Sequence, residues 1–183
     1  NKGHLAVVKQ LLEAHADPNL ADSEEATPLH KAVLLDHLPV VEVLLGCSAT
    51  NIEAQNADGA RPLHIAAQQG RLGAMQLLLD AGADANACLA QDRSTPLHLA
   101  AAAGNAAAVK ALLAAGASPD VKSLGSTPLH VAAAHKADPV EVVRGLLLGG
   151  ADKELRARNG STPLHLAVAA GNVACVRALV EAG

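Results

Sequence analysis

Hydrophobic positions along the chain fall into paired short runs separated by polar turns. The first run of each pair opens on a tetrapeptide: Thr27-Pro28-Leu29-His30, Arg61-Pro62-Leu63-His64, Thr95-Pro96-Leu97-His98, Thr127-Pro128-Leu129-His130 and Thr162-Pro163-Leu164-His165. Small apolar pairs follow at Ala32-Val33, Ala66-Ala67, Ala100-Ala101, Ala132-Ala133 and Ala167-Val168. About nine residues past the Thr comes a break, usually glycine, as at Gly70, Gly104 and Gly171. A second apolar run then appears, such as Met75-Gln76-Leu77-Leu78-Leu79, and a Gly-Ala-Asp/Ser step closes the unit at Gly82, Gly116 and Gly150. This pattern predicts two short helices per unit. Thr is suited to the N-cap and Pro to the first helical turn. The Ala pair offers a flat face for a close neighbour, and the closing glycine suits a left-handed helix end.

The tetrapeptides are spaced by 34, 34, 32 and 35 residues. Repetition at such a period marks an array in which each unit buries its apolar face against the next. The motif and its period resemble the ankyrin repeat, and the resemblance extends over essentially the whole chain. It implies an all-α repeat solenoid of stacked helix-turn-helix units with β-turn fingers. The expected organisation is one ankyrin-repeat domain over 1–183. A partial repeat covers 1–21, repeats cover 22–55, 56–89, 90–121 and 122–156, and a final repeat covers 157–183 without its finger exit. Both ends cut into the pattern without a polar capping repeat, so the chain reads as a piece of a longer array.

Departures from regularity sit in the connections. Residues 46–52 and 87–93 each carry one extra residue, 120–126 is one short, and the turn at 136–139 carries two extra. Such segments tolerate length changes and often carry function. His15 stands where other repeats close on glycine, and His is among the residues that tolerate positive φ. Arg61 replaces the Thr, so that helix is expected to lose a hydroxyl cap worth about 1 kcal/mol. Lys31 stands where other repeats have Ile65, Leu99, Val131 or Leu166; its stem can pack while its ammonium reaches water. Both changes predict softer first and second units.

Composition narrows the function. Half of the 183 residues are hydrophobic, yet Phe, Tyr and Trp are absent, which suits thin layers of Ala, Leu and Val. The net charge is -4, with no basic stripe and no aromatic stacking platform, which argues against nucleic acid. Charges and prolines interrupt every apolar stretch, so no membrane-inserted helix is expected. Cys47, Cys88 and Cys175 show no metal or redox spacing and read as small core or loop residues in a reducing compartment.

Nine histidines invite a metal reading. The five in the tetrapeptides would lie roughly 10 Å apart in stacked units, too far to share one ion. The resemblance implies that they bond backbone groups and the neighbouring repeat. No zinc-protease, nucleophile-elbow or phosphate-loop pattern occurs. Asp84 and Asp152 read as turn residues, and Leu77–Leu79 and Leu146–Leu148 as inter-repeat core. No catalytic residue, metal or cofactor is expected.

The resemblance implies a protein-interaction module, non-enzymatic, cytoplasmic or nuclear, and monomeric within a longer chain. It places partner contacts on a concave face, at residues just before the Thr and just after the Ala pair. The candidates are Ser23, Glu24, Leu34, Leu35, Asp58, Gln68, Gln69, Asp92, His135, Arg158 and Asn159. Ala57, Gln91, Ser123 and Leu124 occupy further finger positions; Ala102, Ala103, Ala134, Ala169 and Ala170 occupy further inner-helix positions. Lacking aromatic anchors of its own, the chain would need its partner to supply them. The rival reading is a regulatory or substrate-recruiting segment of a larger enzyme, ubiquitin ligase adaptor or channel. A mechanical spacer is a third.

Overall fold

The computed structural model describes residues 2–135 and 139–182, with side chains from residue 5 onward. The irregular turn at 136–139 therefore falls mostly outside the described residues. The helices group into two compact units, Asn1–Asp84 and Ala85–Gly183.

The first unit contains α1 (Lys2–Glu13), α2 (Pro28–Leu34), α3 (Leu38–Leu45), α4 (Pro62–Gln69) and α5 (Leu72–Asp80). Inner helices α2 and α4 pack together, outer helices α1, α3 and α5 stack in order, and each inner helix lies on its own outer helix. The second unit contains α6 (Pro96–Ala102), α7 (Ala106–Ala114), α8 (Pro128–Ala133), α9 (Val140–Leu148), α10 (Pro163–Ala169) and α11 (Val173–Glu181). Here α6, α8 and α10 form the inner layer and α7, α9 and α11 the outer one. The expected helix pairs are therefore present, and each inner helix begins at the tetrapeptide proline.

The core follows the repeat. Leu29, Leu63, Leu97 and Leu129 on inner helices are buried, as are Leu44, Leu78, Leu112 and Leu146 on outer ones. Each such leucine stabilises the fold by roughly 2 kcal/mol. The Ala pairs at 66–67, 100–101 and 132–133 are fully buried, which lets neighbouring helices approach without aromatic fillers. Two expectations need correction. Leu148 is 87% exposed, because the last turn of α9 rotates it away from α7 and α11, so only part of that leucine run is core. Val168 is 61% exposed, because α10 is the last inner helix and nothing described covers its outer flank.

Turn chemistry matches the backbone. His15 adopts φ +62°, as its place at a closing-glycine position requires, while Gly82, Gly116 and Gly150 take φ +86° to +89°. Outer helices α7 and α11 have caps that the tetrapeptide does not reveal. Asn105 Oδ1 accepts the Ala108 N–H at 3.0 Å, and Asn172 Oδ1 accepts that of Cys175 at 3.0 Å. Cys175 is buried, and Cys47 and Cys88 are half-buried; none of the three forms a disulfide.

Candidate interaction surface

Each tetrapeptide histidine is consumed by the fold. Its Nδ1 accepts the backbone N–H of the residue three before it: from Thr27 at 3.1 Å, Arg61 at 3.3 Å, Thr95 at 3.2 Å, Thr127 at 3.3 Å and Thr162 at 3.3 Å. A backbone amide can only donate, so Nδ1 is unprotonated and the Thr hydroxyl beside it, 2.8–2.9 Å away, also donates to it. The remaining proton sits on Nε2. It points at a carbonyl of the following finger: Ala60 for His30 (3.0 Å), Ser126 for His98 (3.1 Å) and Ser161 for His130 (3.1 Å). The rings of His30, His98 and His130 thus bridge successive repeats. They leave no lone pair for a metal.

This geometry revises the expected hydroxyl cap. The Thr oxygen bonds chiefly to the ring, and it accepts a helix N–H only weakly, at 3.4 Å, at Thr95 and Thr127. Arg61 retains the ring-to-amide bond and adds an ion pair to Glu53 at 2.6 Å. Glu53 in turn accepts the Asp84 N–H at 2.9 Å. The Arg substitution therefore replaces a hydroxyl bond with a half-buried charged tie. Lys31 behaves as its sequence position suggests, with a half-buried stem and an ammonium paired to Asp22 at 3.0 Å and to Glu24.

Burial pushes the pKa of His30, His98 and His130 below the ordinary 6.5, only partly opposed by the carbonyl bonds. The folded chain therefore binds fewer protons than the unfolded chain once pH falls below about 6.5. Stability is complete above that pH and declines as pH drops toward the depressed folded values. Melting temperature measured from pH 7.5 downward should be flat to about 6.5 and then fall. Constant melting down to pH 5 would contradict the neutral-ring assignment.

The fingers carry their own order. Asp22, Asn56, Asp92 and Asn159 each turn a side-chain oxygen onto a backbone N–H two residues on. The residue two before the Thr or Arg has positive φ throughout: Glu25, Gly59, Arg93, Gly125 and Gly160. Neighbouring fingers are tied by backbone. Ala57 N–H donates to Glu24 O at 2.9 Å in the first unit, and Leu124 N–H to Asp92 O at 3.2 Å in the second. The shortened connection at 120–126 resolves into a two-residue hairpin turn. Ser123 and Ser126 exchange both backbone bonds at 2.8 Å, and Leu124 and Gly125 have φ +48° and +91°.

A second ladder, unmarked by any motif, joins the loops beyond the outer helices. Asn19 Oδ1 accepts the Asn51 N–H, Asn86 Oδ1 that of Ser118, and Asp120 Oδ1 that of Asp152. Asp152 also accepts the Glu154 N–H at 2.8 Å, as its turn role predicts.

Among the candidate contact residues, Ser23, Glu24, Leu34, Asp58, Gln68 and Gln69 in the first unit are exposed. So are Arg158 and Asn159 in the second. His135 is half-buried. Asp92 is half-buried too, and both its oxygens hold Ser94. Ser123 is buried against Ser94 Oγ and Asp92 O, so it is unavailable to a partner. Leu35 is exposed but faces sideways, into a 540 Å³ groove that it lines with Leu5, Val8, Pro28 and Val40. Pro28 is exposed there, whereas Pro62, Pro128 and Pro163, each beside a preceding inner helix, are buried. Arg93 escaped the sequence reading. Its signal was a positively charged residue at the position two before the Thr, in a lengthened connection.

Among the described residues, no helix is long and apolar enough to cross a membrane, and no cluster of potential metal ligands occurs. The family model for ankyrin repeats matches three times, over residues 1–88, 82–157 and 134–183. Among curated proteins, the chain is similar to the Drosophila melanogaster neurogenic locus Notch protein, 47% identical over 51 residues. It is similar to the neurogenic locus notch homolog protein 1 of Mus musculus at 47% and of Homo sapiens at 45% over the same length. These alignments cover 28% of this chain and 2% of each relative. Ankyrin repeats are generally protein-interaction modules and typically non-catalytic. With family matches spanning the chain from end to end, and helix pairs opening on Thr/Arg-Pro-Leu-His in both units, the protein belongs to the ankyrin-repeat family.

Proposed function

We propose that this chain binds a partner protein through finger tips and inner-helix residues, without catalysis. The supporting observation is the division of labour among its polar groups. The tetrapeptide histidines and the loop Asn/Asp ladder are spent on the scaffold, whereas Ser23, Leu34, Gln68, Gln69 and Arg158 stand exposed. Glu24, Asp58 and Asn159 are exposed as well, although Glu24 also pairs with Lys31 and Asn159 Oδ1 also accepts the Ser161 N–H. Fixed fingers present such side chains at low entropic cost, which favours recognition over chemistry. Three cysteines outside disulfides fit a reducing cytoplasmic or nuclear setting.

Affinity capture with the intact chain, compared with a Leu34→Asp, Gln68→Asp, Arg158→Asp variant, tests the reading. Recovery of the captured partner should fall at least tenfold while the helical circular dichroism spectrum stays unchanged. Equal recovery by the folded variant would reject these surfaces as the binding site.

A further inference from the structure

The two units differ sharply in charge. Residues 1–84 carry five basic and eleven acidic side chains, whereas 85–183 carry nine basic and seven acidic ones. The contrast is strongest at the fingers. Those of the first unit present Asp22, Glu24, Glu25 and Asp58. Those of the second present Arg93, Arg156 and Arg158, all exposed. Arg156 donates to Gly160 O, so its guanidinium is partly committed. Arg93 and Arg158 make no ion pair among the described residues. Asp92, the acid beside Arg93, is already bonded through both oxygens to Ser94.

Between these arginines stands Leu124. Three contacts make the group contiguous. Leu124 N–H bonds to Asp92 O at 3.2 Å, next to Arg93. Ser123 Oγ bonds to the same carbonyl at 2.9 Å. On the other side, a Cβ placed on Gly125 would lie 2.8 Å from Arg158 Cβ. Leu124 is 70% exposed, so it contributes little to the core. It also occupies a hairpin position with φ +48°, where Asn or Gly is the favoured residue. A leucine here is disfavoured by the backbone and left in water.

We propose that the ridge Arg93–Leu124–Arg158 recognises an extended acidic segment of a partner protein, with one large apolar side chain between two carboxylates. This rests on the protein-binding reading above and specifies its partner chemistry. Leu124 takes the apolar side chain, which a chain without aromatics needs its partner to provide. The guanidiniums take the carboxylates through charge-assisted, paired hydrogen bonds. Adjacent repeats are roughly 10 Å apart, so each carboxylate sits about three extended residues from the apolar anchor. The fingers of the first unit stay net acidic even though Lys31 pairs with Asp22 and Glu24, so they disfavour the same segment.

Selection of a phage-displayed library of random peptides on the full chain tests this. Enriched sequences should place Asp or Glu on both sides of an aromatic residue or leucine. Binding of the best synthetic peptide, measured by fluorescence polarisation, should weaken tenfold or more with Arg93→Gln plus Arg158→Gln, and also at raised salt. Leu124→Asn should weaken it similarly while raising the melting temperature by about 2–4 °C, since Asn-Gly suits the turn. Opposite signs for binding and stability separate recognition from a scaffold role. Enriched peptides without acidic bias, no enrichment, or binding indifferent to these variants would overturn the ridge. Peptides that bind and lose affinity only with Leu34→Asp would overturn it while leaving the broader protein-binding reading intact.

Discussion

Replacing His98 with alanine should lower the unfolding free energy by about 3–4 kcal/mol, a drop of roughly 10 °C in melting temperature. The Thr95 amide loses its acceptor at 3.2 Å and is left buried and unpaired. The Ser126 carbonyl loses the ring donor at 3.1 Å, keeping only the Ser123 N–H at 2.8 Å. The orphaned amide costs about 1–3 kcal/mol, the lost interfinger bond about 1 kcal/mol, and the vacated ring leaves a cavity. His98 is only 3% exposed, so water cannot readily replace it. His165→Ala supplies the contrast. That ring is exposed and keeps only its Thr162 contacts, with no carbonyl bonded to Nε2 among the described residues. Its loss should cost about 1 kcal/mol or less. Urea denaturation of both variants measures the difference. Equal losses would mean that the link to the following finger contributes nothing.

Gly125→Val should be nearly as damaging, at about 2–4 kcal/mol, for two reasons that add. Its φ of +91° is open to glycine and costly for a β-branched residue. The new Cβ would also stand 2.8 Å from Arg158 Cβ and 3.2 Å from Arg158 N. The latter is backbone, so the fifth finger must move to relieve the contact. Gly160→Val is the control. Its φ is +80°, but nothing lies within 4 Å of an added Cβ, so only the backbone cost remains. Thermal melts should place Gly125→Val clearly below Gly160→Val. Coincident curves would show that the packing of one finger on the next is not a constraint.

Much of this is legible in the sequence. The tetrapeptide fixed the start of every inner helix, because Pro can occupy only the first turn. His15 could be placed at positive φ, because the repeat marks that site by glycine elsewhere. The shortened 120–126 connection could be counted but not shaped. That it closes as a hairpin with Leu124 outward and Ser123 inward depends on the neighbouring finger, whose Asp92 carbonyl takes bonds from both residues. The contact candidates were chosen by position in the repeat. Position alone could not separate exposed Arg158 from half-buried Asp92, whose oxygens hold Ser94, or from Leu35, which turns toward α1.

The sequence by itself determined the repeat, its register, the paired helices and an aromatic-free core. These rest on local rules: proline and glycine dihedral preferences, and the spacing of apolar residues that must leave water together. Tertiary structure decided which polar groups are spent and which remain. A histidine ring becomes scaffold only when a carbonyl some 30 residues away meets its Nε2. A finger residue becomes a contact candidate only when the adjacent finger leaves it free. Those outcomes depend on distances between repeats, which no single repeat encodes.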